Sequence, residues 1–492
     1  MPTQEHIQRE VQNLVHLVNF DEVESQLHLA SQVNQMMRLA NQGRIRQTYD
    51  LAVSLIDAQK GTFSLLAAEL GEPILLELVL ELRDRGQPEE AIEEMKRWLE
   101  RFPGHPVVSC ALVDSFHSFS EEALSGVHGK EILNKVLEQH PRTLHAYLLV
   151  ARRMVFINWL MRGQNLTQLV THIWKGLRQM EWVIPPNRDN VRKTLSDLFM
   201  FSRFALNSRA RRQRLDELVE QTSELLKPEE RPLWTPEDYQ WISAQWLPMV
   251  RRPTQREQEE LLDSIDMQTV QDLLDDAEVY EQVKQWINKY RWHHVYRKLI
   301  PFERWAQRPL HGKFREQAIL ALSALSLQQP SRDVKLDDLL RYTEQWAELA
   351  PNDARPLVRK VILLIGKNDA AAALAVAEDA LRLSPHGIEP PALVALILGA
   401  NTQDIHKIFQ SAQALQQAWR NLPLAQWIMH PHPAHVRETL RVLVGLTALI
   451  ASRGGLRQEA LRILDEGERL LGRNAPELQM ARRRITGADE GW

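Results

Sequence analysis

The stretch "DAAAALAVAEDALRLSP" runs from Asp369 to Pro385 and is unusually rich in alanine. An upstream stretch, "LLRYTEQWAELAP", stops at Pro351, 34 positions before Pro385. Proline lacks an amide donor and disfavours helix in the residue before it, so both stretches read as helices closed at their C-termini. Ala373, Ala377 and Ala380 are spaced by four and three, which puts them on one helical face. Leu357, Val361 and Leu364 make an apolar stripe on an earlier helix, and "GKND" is the turn between. The reading is a helix-turn-helix unit of 34 residues whose second helix presents small side chains.

The arrangement recurs. "ELRDRGQPEEAIEEMKRWLERFPG" has Gly86 in the turn, then Ala91, Met95 and Trp98, then Pro103, after a first helix offering Leu75, Leu78, Val79 and Leu82. "IASRGGLRQEALRILDEGERLLG" has Gly455 in the turn, then Ala460, Leu464 and Gly467, with Gly472 where the proline would stand. Ala448 sits at the tight place on that unit's first helix. Further closures fall at Pro141 and Pro423, and "GRIRQTYDLAVSLI" near the start is a weaker relative. Two antiparallel helices approach closely only where side chains are small, and a larger residue there overpacks the contact.

These units resemble tetratricopeptide repeats: a turn glycine, a small residue opening the buried face of the second helix, another seven on, and a closing proline. The resemblance covers residues 72–141 and 320–472 and is to a divergent member. Val79 and Val361 replace the usual small residue on the first helix, Trp98 and Trp346 are large at a usually small place, and several closures are 38 rather than 34 apart. The fold implied is an all-α, tetratricopeptide-like solenoid, a right-handed superhelix of antiparallel helix pairs with a tryptophan-rich irregular middle. The expected division is 1–149 and 320–492 for the repeats, with a divergent helical region at 150–319.

The totals agree. Among 492 residues, 44% are hydrophobic and 25% charged, which is ordinary globular usage, and only 20 are glycine. Strand alternation bounded by Asn-Gly or Asp-Gly turns is absent. The formal net charge of −4 provides no global basic field for nucleic acid. The single cysteine, Cys110, excludes a disulfide within the chain and a multi-cysteine zinc site. It lies on the apolar face of "PVVSCALV", where a buried, inert thiol is expected. No uninterrupted apolar run reaches membrane-span length, and the first residues lack a signal-peptide pattern. The expectation is a soluble, cytoplasmic protein.

Nine of the fourteen tryptophans fall in the middle region, including Trp159, Trp174, Trp182, Trp234, Trp241, Trp246 and Trp286. Irregular helical pairs that continue the stack or form an insert are expected there. Its most chemical-looking segment is "NKYRWHHVYRKLIPFERW", Asn288–Trp305. Interleaved basic and aromatic residues can stack bases and meet phosphates, or clamp an acidic peptide. Equally, aromatics can be core and cations the wet face, and Trp292, Tyr296 and Leu299 do share one helical face. The candidates for partner contact here are Arg291, Trp292, His294 and Arg297. Upstream, "SRARRQR" concentrates Arg209, Arg211, Arg212 and Arg214, and the acidic stretch from Glu259 to Glu281 is available to pair with that run or with the 290s. "IMHPHPAH" gathers His430, His432 and His435, but two prolines and the lack of a carboxylate or thiolate close in sequence favour a loop before a helix starting near Val436. No metal or cofactor site is expected.

Some tetratricopeptide proteins grip a C-terminal carboxylate with cations and amides on first helices. Arg355 and Arg359 stand where the last two cations of that clamp would be, while the preceding unit, "LALSALSLQQ", has no matching asparagine or lysine. The full clamp is therefore absent, and Arg355 and Arg359 are retained only as candidates to line a groove. No phosphate-binding glycine loop, "GxSxG", "HExxH" or nucleotide fingerprint occurs, so nothing in the sequence points to an enzyme. The resemblance implies a non-catalytic scaffold or adaptor that holds a peptide or partner helix. The protein partner is unidentified, a homo-oligomer is left open, and nucleic acid is disfavoured. Two other readings stand beside it: a nucleic-acid- or nucleotide-linked regulator using the basic-aromatic middle, and an enzyme hidden in that middle.

Overall fold

The computed structural model describes residues 3–119, 127–156, 165–221, 253–331, 334–399 and 402–487. These form 23 α-helices and short 3-10 turns, with no strand among the described residues beyond one isolated parallel bridge, Thr143–Glu181. In the first half lie α1 (Gln4–Leu17), α2 (Phe20–Asn41), α3 (Ile45–Asp57), α4 (Gly61–Asp84), α5 (Pro88–Arg101), α6 (Pro106–Phe119), α7 (Val127–Gln139), α8 (Leu144–Phe156), α9 (Leu166–Gly176), α10 (Arg188–Ala205) and α11 (Arg209–Gln221). The second half contains α12 (Gln255–Ser264), α13 (Met267–Asn288), α14 (Trp292–Leu299), α15 (His311–Ser326), α16 (Leu336–Leu349), α17 (Arg355–Gly366), α18 (Ala370–Leu383), α19 (Glu389–Gly399), α20 (Ile405–Asn421), α21 (Pro433–Arg453), α22 (Arg457–Leu471) and α23 (Pro476–Thr486). No helix among the described residues is long and apolar enough to cross a membrane.

Five helical hairpins are joined by one and the same turn. In each, a residue with positive φ donates to the carbonyl three residues back, and the next amide donates to the carbonyl five back, which is the Schellman motif. The positive-φ residue is Gly43 between α2 and α3, Gly86 between α4 and α5, and Gly455 between α21 and α22. Asn368 (φ 61°) holds the place between α17 and α18, and Tyr290 (φ 53°) holds it between α13 and α14. The five-back bonds are short, for example Gln87 N to Leu82 O at 2.8 Å and Arg291 N to Trp286 O at 2.8 Å. A residue with a Cβ in the left-handed well costs about 1–2 kcal/mol, which glycine avoids and asparagine partly offsets. The turn glycines of the sequence, Gly86 and Gly455, thus have a backbone reason to be glycine.

Two compact units result, Met1–Leu78 with Leu322–Trp492, and Val79–Ala321. In the first, the hairpins α17/α18, α19/α20 and α21/α22 stack in series and α23 follows them. The first helices α17, α19, α21 and α23 touch in that order, and each second helix packs on the first helix of the next pair. Small residues sit where the resemblance to tetratricopeptide repeats requires: Ala373, Ala377, Ala380 and Ala460 are all fully buried. At Gly467 an added Cβ would lie 2.6 Å from Val444 Cγ1, so the approach of α22 to α21 excludes even a methyl group unless Val444 moves. The closures behave as expected. Helix α18 ends with Ser384 N donating to Ala380 O, one residue before Pro385. Where glycine replaces the proline, Gly472 takes φ 107°, a value closed to proline.

The start of the chain also belongs to this first unit. Helix α1 packs on α20 and α21, and α2 packs on α21 and α22. Gln416 Nε2 donates to Glu10 Oε2 at 2.7 Å, and the buried Gln26 accepts from Trp427 Nε1 at 2.9 Å while donating to Leu422 O at 3.1 Å. Thr62 N donates to Ala425 O, and Thr62 Oγ1 to Trp427 O, both at 2.9 Å.

Unit two repeats the logic with less regular helices. First helices α6, α8, α10 and α13 touch in order, and α5, α7 and α9 each pack on the next first helix. The described part of the tryptophan-rich middle therefore continues the serial packing. Trp174 is buried and donates to Ser202 Oγ at 2.9 Å, and Trp182 is buried against His145. Trp159, Trp234, Trp241 and Trp246 lie outside the described residues. Trp98, large where the repeat pattern has a small residue, is fully buried with its ring centroid 5.0 Å from Phe102.

Replacing Ala377 by leucine should destabilise the first unit by about 1–3 kcal/mol in urea unfolding, because the inserted methylenes meet a closed helix contact. Ala375, exposed on the same helix, is the control, and its leucine variant should stay within about 0.5 kcal/mol of the parent.

Candidate functional site

The basic-aromatic segment is the turn and second helix of the α13/α14 hairpin. Its inward face centres on Val295 and Leu299, with Trp292 and Tyr296 half-buried beside them. Arg291, His293, His294, Arg297 and Lys298 are exposed, and Tyr290 is 79% exposed at the apex. The Tyr290 ring meets Trp292 edge-on at 6.2 Å, and His294 lies 5.6 Å from Trp286. Lys289, Arg291, Arg297 and Lys298 form no ion pair with any described residue. Trp305 turns away from this surface to pack on Phe314 at 4.6 Å.

Arg355 and Arg359 stand one turn apart on α17, and Ile362 continues their stripe at the i+7 position. Arg355 lies over the ring of the buried Trp346 at 5.6 Å and bonds both carboxylate oxygens of Asp353 at 2.9 Å. The Asp353 hydrogen bond, opposed by burial and helped by the charges of Asp353 and Glu69, pushes the Arg355 guanidinium pKa up. Arg359 is half-buried and donates from Nε to Ser326 O at 2.8 Å and from Nη2 to Gln328 O at 3.0 Å. It satisfies carbonyls at and just beyond the C-terminal end of α15, which have no partner inside the helix. Burial lowers the Arg359 pKa. Arg441 does the same for Leu471 O at the end of α22.

The acidic stretch pairs with the arginine run. Arg211 Nε meets Glu259 at 2.7 Å, and Arg214 meets Glu259 at 3.4 Å and Asp263 at 3.2 Å. Further along, the carboxylate of Asp276 is fully buried, accepting from Arg308 Nε at 2.7 Å and from Leu310 N at 3.2 Å. Burial pushes Asp276 above the usual carboxylate range, while the Arg308 hydrogen bond acts against it. Arg308 also bonds Asp272 at 2.9 Å, and Arg178 reaches the other Asp272 oxygen at 3.0 Å. Neither Arg178 nor Arg308 stands in a charged run, so the sequence carries no signal for this network.

The histidine segment is a loop and helix start, as the prolines indicate. His432 caps α21 by accepting from Ala434 N at 3.2 Å. His435 Nε2 lies 3.2 Å from the buried carboxylate of Glu389, which also accepts from Ile428 N and Met429 N at 3.0 Å. A carboxylate does stand beside the histidines, then, from 46 residues upstream. Burial first, then His432 and His435, hold His430 below the usual imidazole range. Among the described residues no group of three or more His, Cys, Asp or Glu is placed to hold a metal ion. Cys110 is buried, and burial with the nearby Asp114 charge pushes its thiol up to about 12. His145 has both ring nitrogens out of solvent without a partner among the described residues, and burial lowers its pKa to about 4.

No family model matches the chain, and no curated protein matches it in sequence. Among solved structures it is similar to the tetratricopeptide domain of P58(IPK), at 10% identity and a TM-score of 0.23 over 85% of this chain and 98% of that one. It is also similar to the yeast Tom70 structure, at 12% identity and a TM-score of 0.28 over 94% and 95% of the two chains. A third, the Cut9–Hcn1 hetero-tetramer, matches at 13% identity with a TM-score of 0.27 over 83% of each.

Arg308→Ala should cost about 3–5 kcal/mol in chemical denaturation, since it leaves a buried carboxylate without its cation. Arg214→Ala, at an exposed pair, should cost less than about 1 kcal/mol. Because His145 takes up its proton more readily unfolded than folded, stability should be complete above about pH 6.5 and fall as pH drops toward 4, by about 3 kcal/mol in total. His145→Phe should flatten that slope when melts are compared across the same pH range.

Proposed function

We propose that the chain is a non-catalytic protein–protein interaction scaffold or adaptor, acting in the cytoplasm, that holds a peptide or partner helix along the groove formed by its first helices. The observation that carries the reading is the serial packing itself. Each hairpin spends its apolar face on its neighbours, so a row of first helices is left to present side chains outward. On α17 that row offers Arg355, Arg359 and Ile362 on one stripe, with Ile362 38% exposed and Arg355 laid over Trp346. An exposed aliphatic residue beside an arginine braced on an aromatic ring is the composition of a binding anchor with a polar rim. Arg359, held by the α15 carbonyls, fixes the helix that presents them.

A second reading, a nucleic-acid- or nucleotide-linked regulator, is favoured by the four cations around Arg291, Trp292, His294 and Arg297 that form no ion pair with any described residue. The two are separated by one experiment. Affinity capture with the full chain should retain protein partners through a high-salt wash, because apolar anchors are insensitive to screening. Those partners should be lost with Ile362→Glu combined with Arg355→Glu. Retention of nucleic acid alone, eluted by salt, would sink the scaffold reading.

A further inference from the structure

Of the five hairpins that share the Schellman turn, four place glycine or asparagine at the left-handed position, and one places Tyr290 there. Glycine would build the same turn without strain. Little packing offsets the tyrosine, which is 79% exposed and, among the described residues, meets the edge of one ring, Trp292. Fold stability therefore does not account for an aromatic residue at this apex. A strained backbone position that persists without a packing reason points to use. His294 and Arg297, three apart on α14, share an exposed side of that helix, and the exposed Tyr290 stands in the turn just before it. Lys289, Arg291 and Lys298 flank them, all exposed and without an ion pair to any described residue.

We propose that the α13/α14 apex is a docking surface for an acidic polypeptide segment, with Tyr290 as its aromatic anchor and Lys289, Arg291 and Arg297 as carboxylate partners. The inference rests on the scaffold reading and narrows the partner's chemistry. An extended peptide carries side chains on one face every second residue, at a spacing of about 7 Å, which suits a few cations grouped around one ring. A nucleic-acid strand needs a longer basic track and several open rings for successive bases. Here the cations occupy one turn and one helix of 8 residues, and Trp292 is half-buried behind Tyr290.

The test uses the full chain and fluorescence anisotropy with two probes, a short fluorescein-labelled polyglutamate peptide and a single-stranded oligonucleotide of similar charge. The expected result is saturable, salt-sensitive binding of the peptide. Tyr290→Gly should weaken it about tenfold while leaving the thermal midpoint unchanged or raised. Arg291→Glu with Arg297→Glu should abolish it, and Asn368→Gly, the matching change in another hairpin, should leave it unaltered. The proposal is overturned if the peptide does not bind, if Tyr290→Gly binds as the parent does, or if Tyr290→Gly unfolds the chain. Tighter binding of the oligonucleotide through the same residues overturns it in favour of a nucleic-acid surface. Loss of peptide binding while partners are still captured through Ile362 removes this inference alone. Loss of both removes the scaffold reading as well.

Discussion

Everything in this architecture depends on how near two helices can come. A hairpin of two short amphipathic helices has too little apolar area to be stable by itself, and its second helix must serve two neighbours at once. Methyl-sized side chains at Ala373, Ala377 and Ala380, and the bare Cα of Gly467, let it do so. The identical turn in five hairpins fixes the exit angle from each first helix, so the close face is delivered in register. Two large residues show that the constraint is on filled volume rather than on residue type. Trp98 and Trp346 are fully buried where the pattern has small residues, and aromatic or cationic neighbours close around them.

Charge has a structural part in the same stack. Arg359 and Arg441 reach from first helices to the exposed carbonyls at the end of another helix. Arg178, Arg308, Asp272 and Asp276 lock α13 to the segment between α14 and α15. Glu389 holds the backbone of Ile428 and Met429. Each replaces backbone partners that irregular helix ends lack. The arginines that stood out in the sequence thus divide into those engaged within the fold, such as Arg211 and Arg359, and those at the α13/α14 apex, which form no ion pair with any described residue.

Local features were legible in the sequence because local physics causes them. Prolines end helices by their own covalent structure, glycines mark left-handed turns, and alanines at spacings of three and four mark a close face. The pairing of the arginine run with Glu259 and Asp263 was readable as opposed charge blocks. The α13/α14 hairpin was hidden because Tyr290 occupies its glycine position, so the turn inside the basic-aromatic segment carried no glycine to mark it. Contacts between distant residues outside such charge blocks were not readable. Nothing near Gln26 announces Trp427, and nothing near Glu10 announces Gln416. The candidate surface was only half legible: the cations and rings could be named, but which ones face solvent depended on the register of α14, centred on Val295.

The docking of α1 and α2 onto α20–α22 has a consequence for biosynthesis. Synthesis runs from the N-terminus, so the first helices leave the ribosome hundreds of residues before the surface that buries Ile7, Val11 and Leu14 exists. Residues 79–321 can complete their own packing as they emerge, whereas the opening helices must wait, apolar faces uncovered, for the last repeats to arrive. Helices made early are thus among the last to be covered, and their apolar faces stay open through the synthesis of everything between.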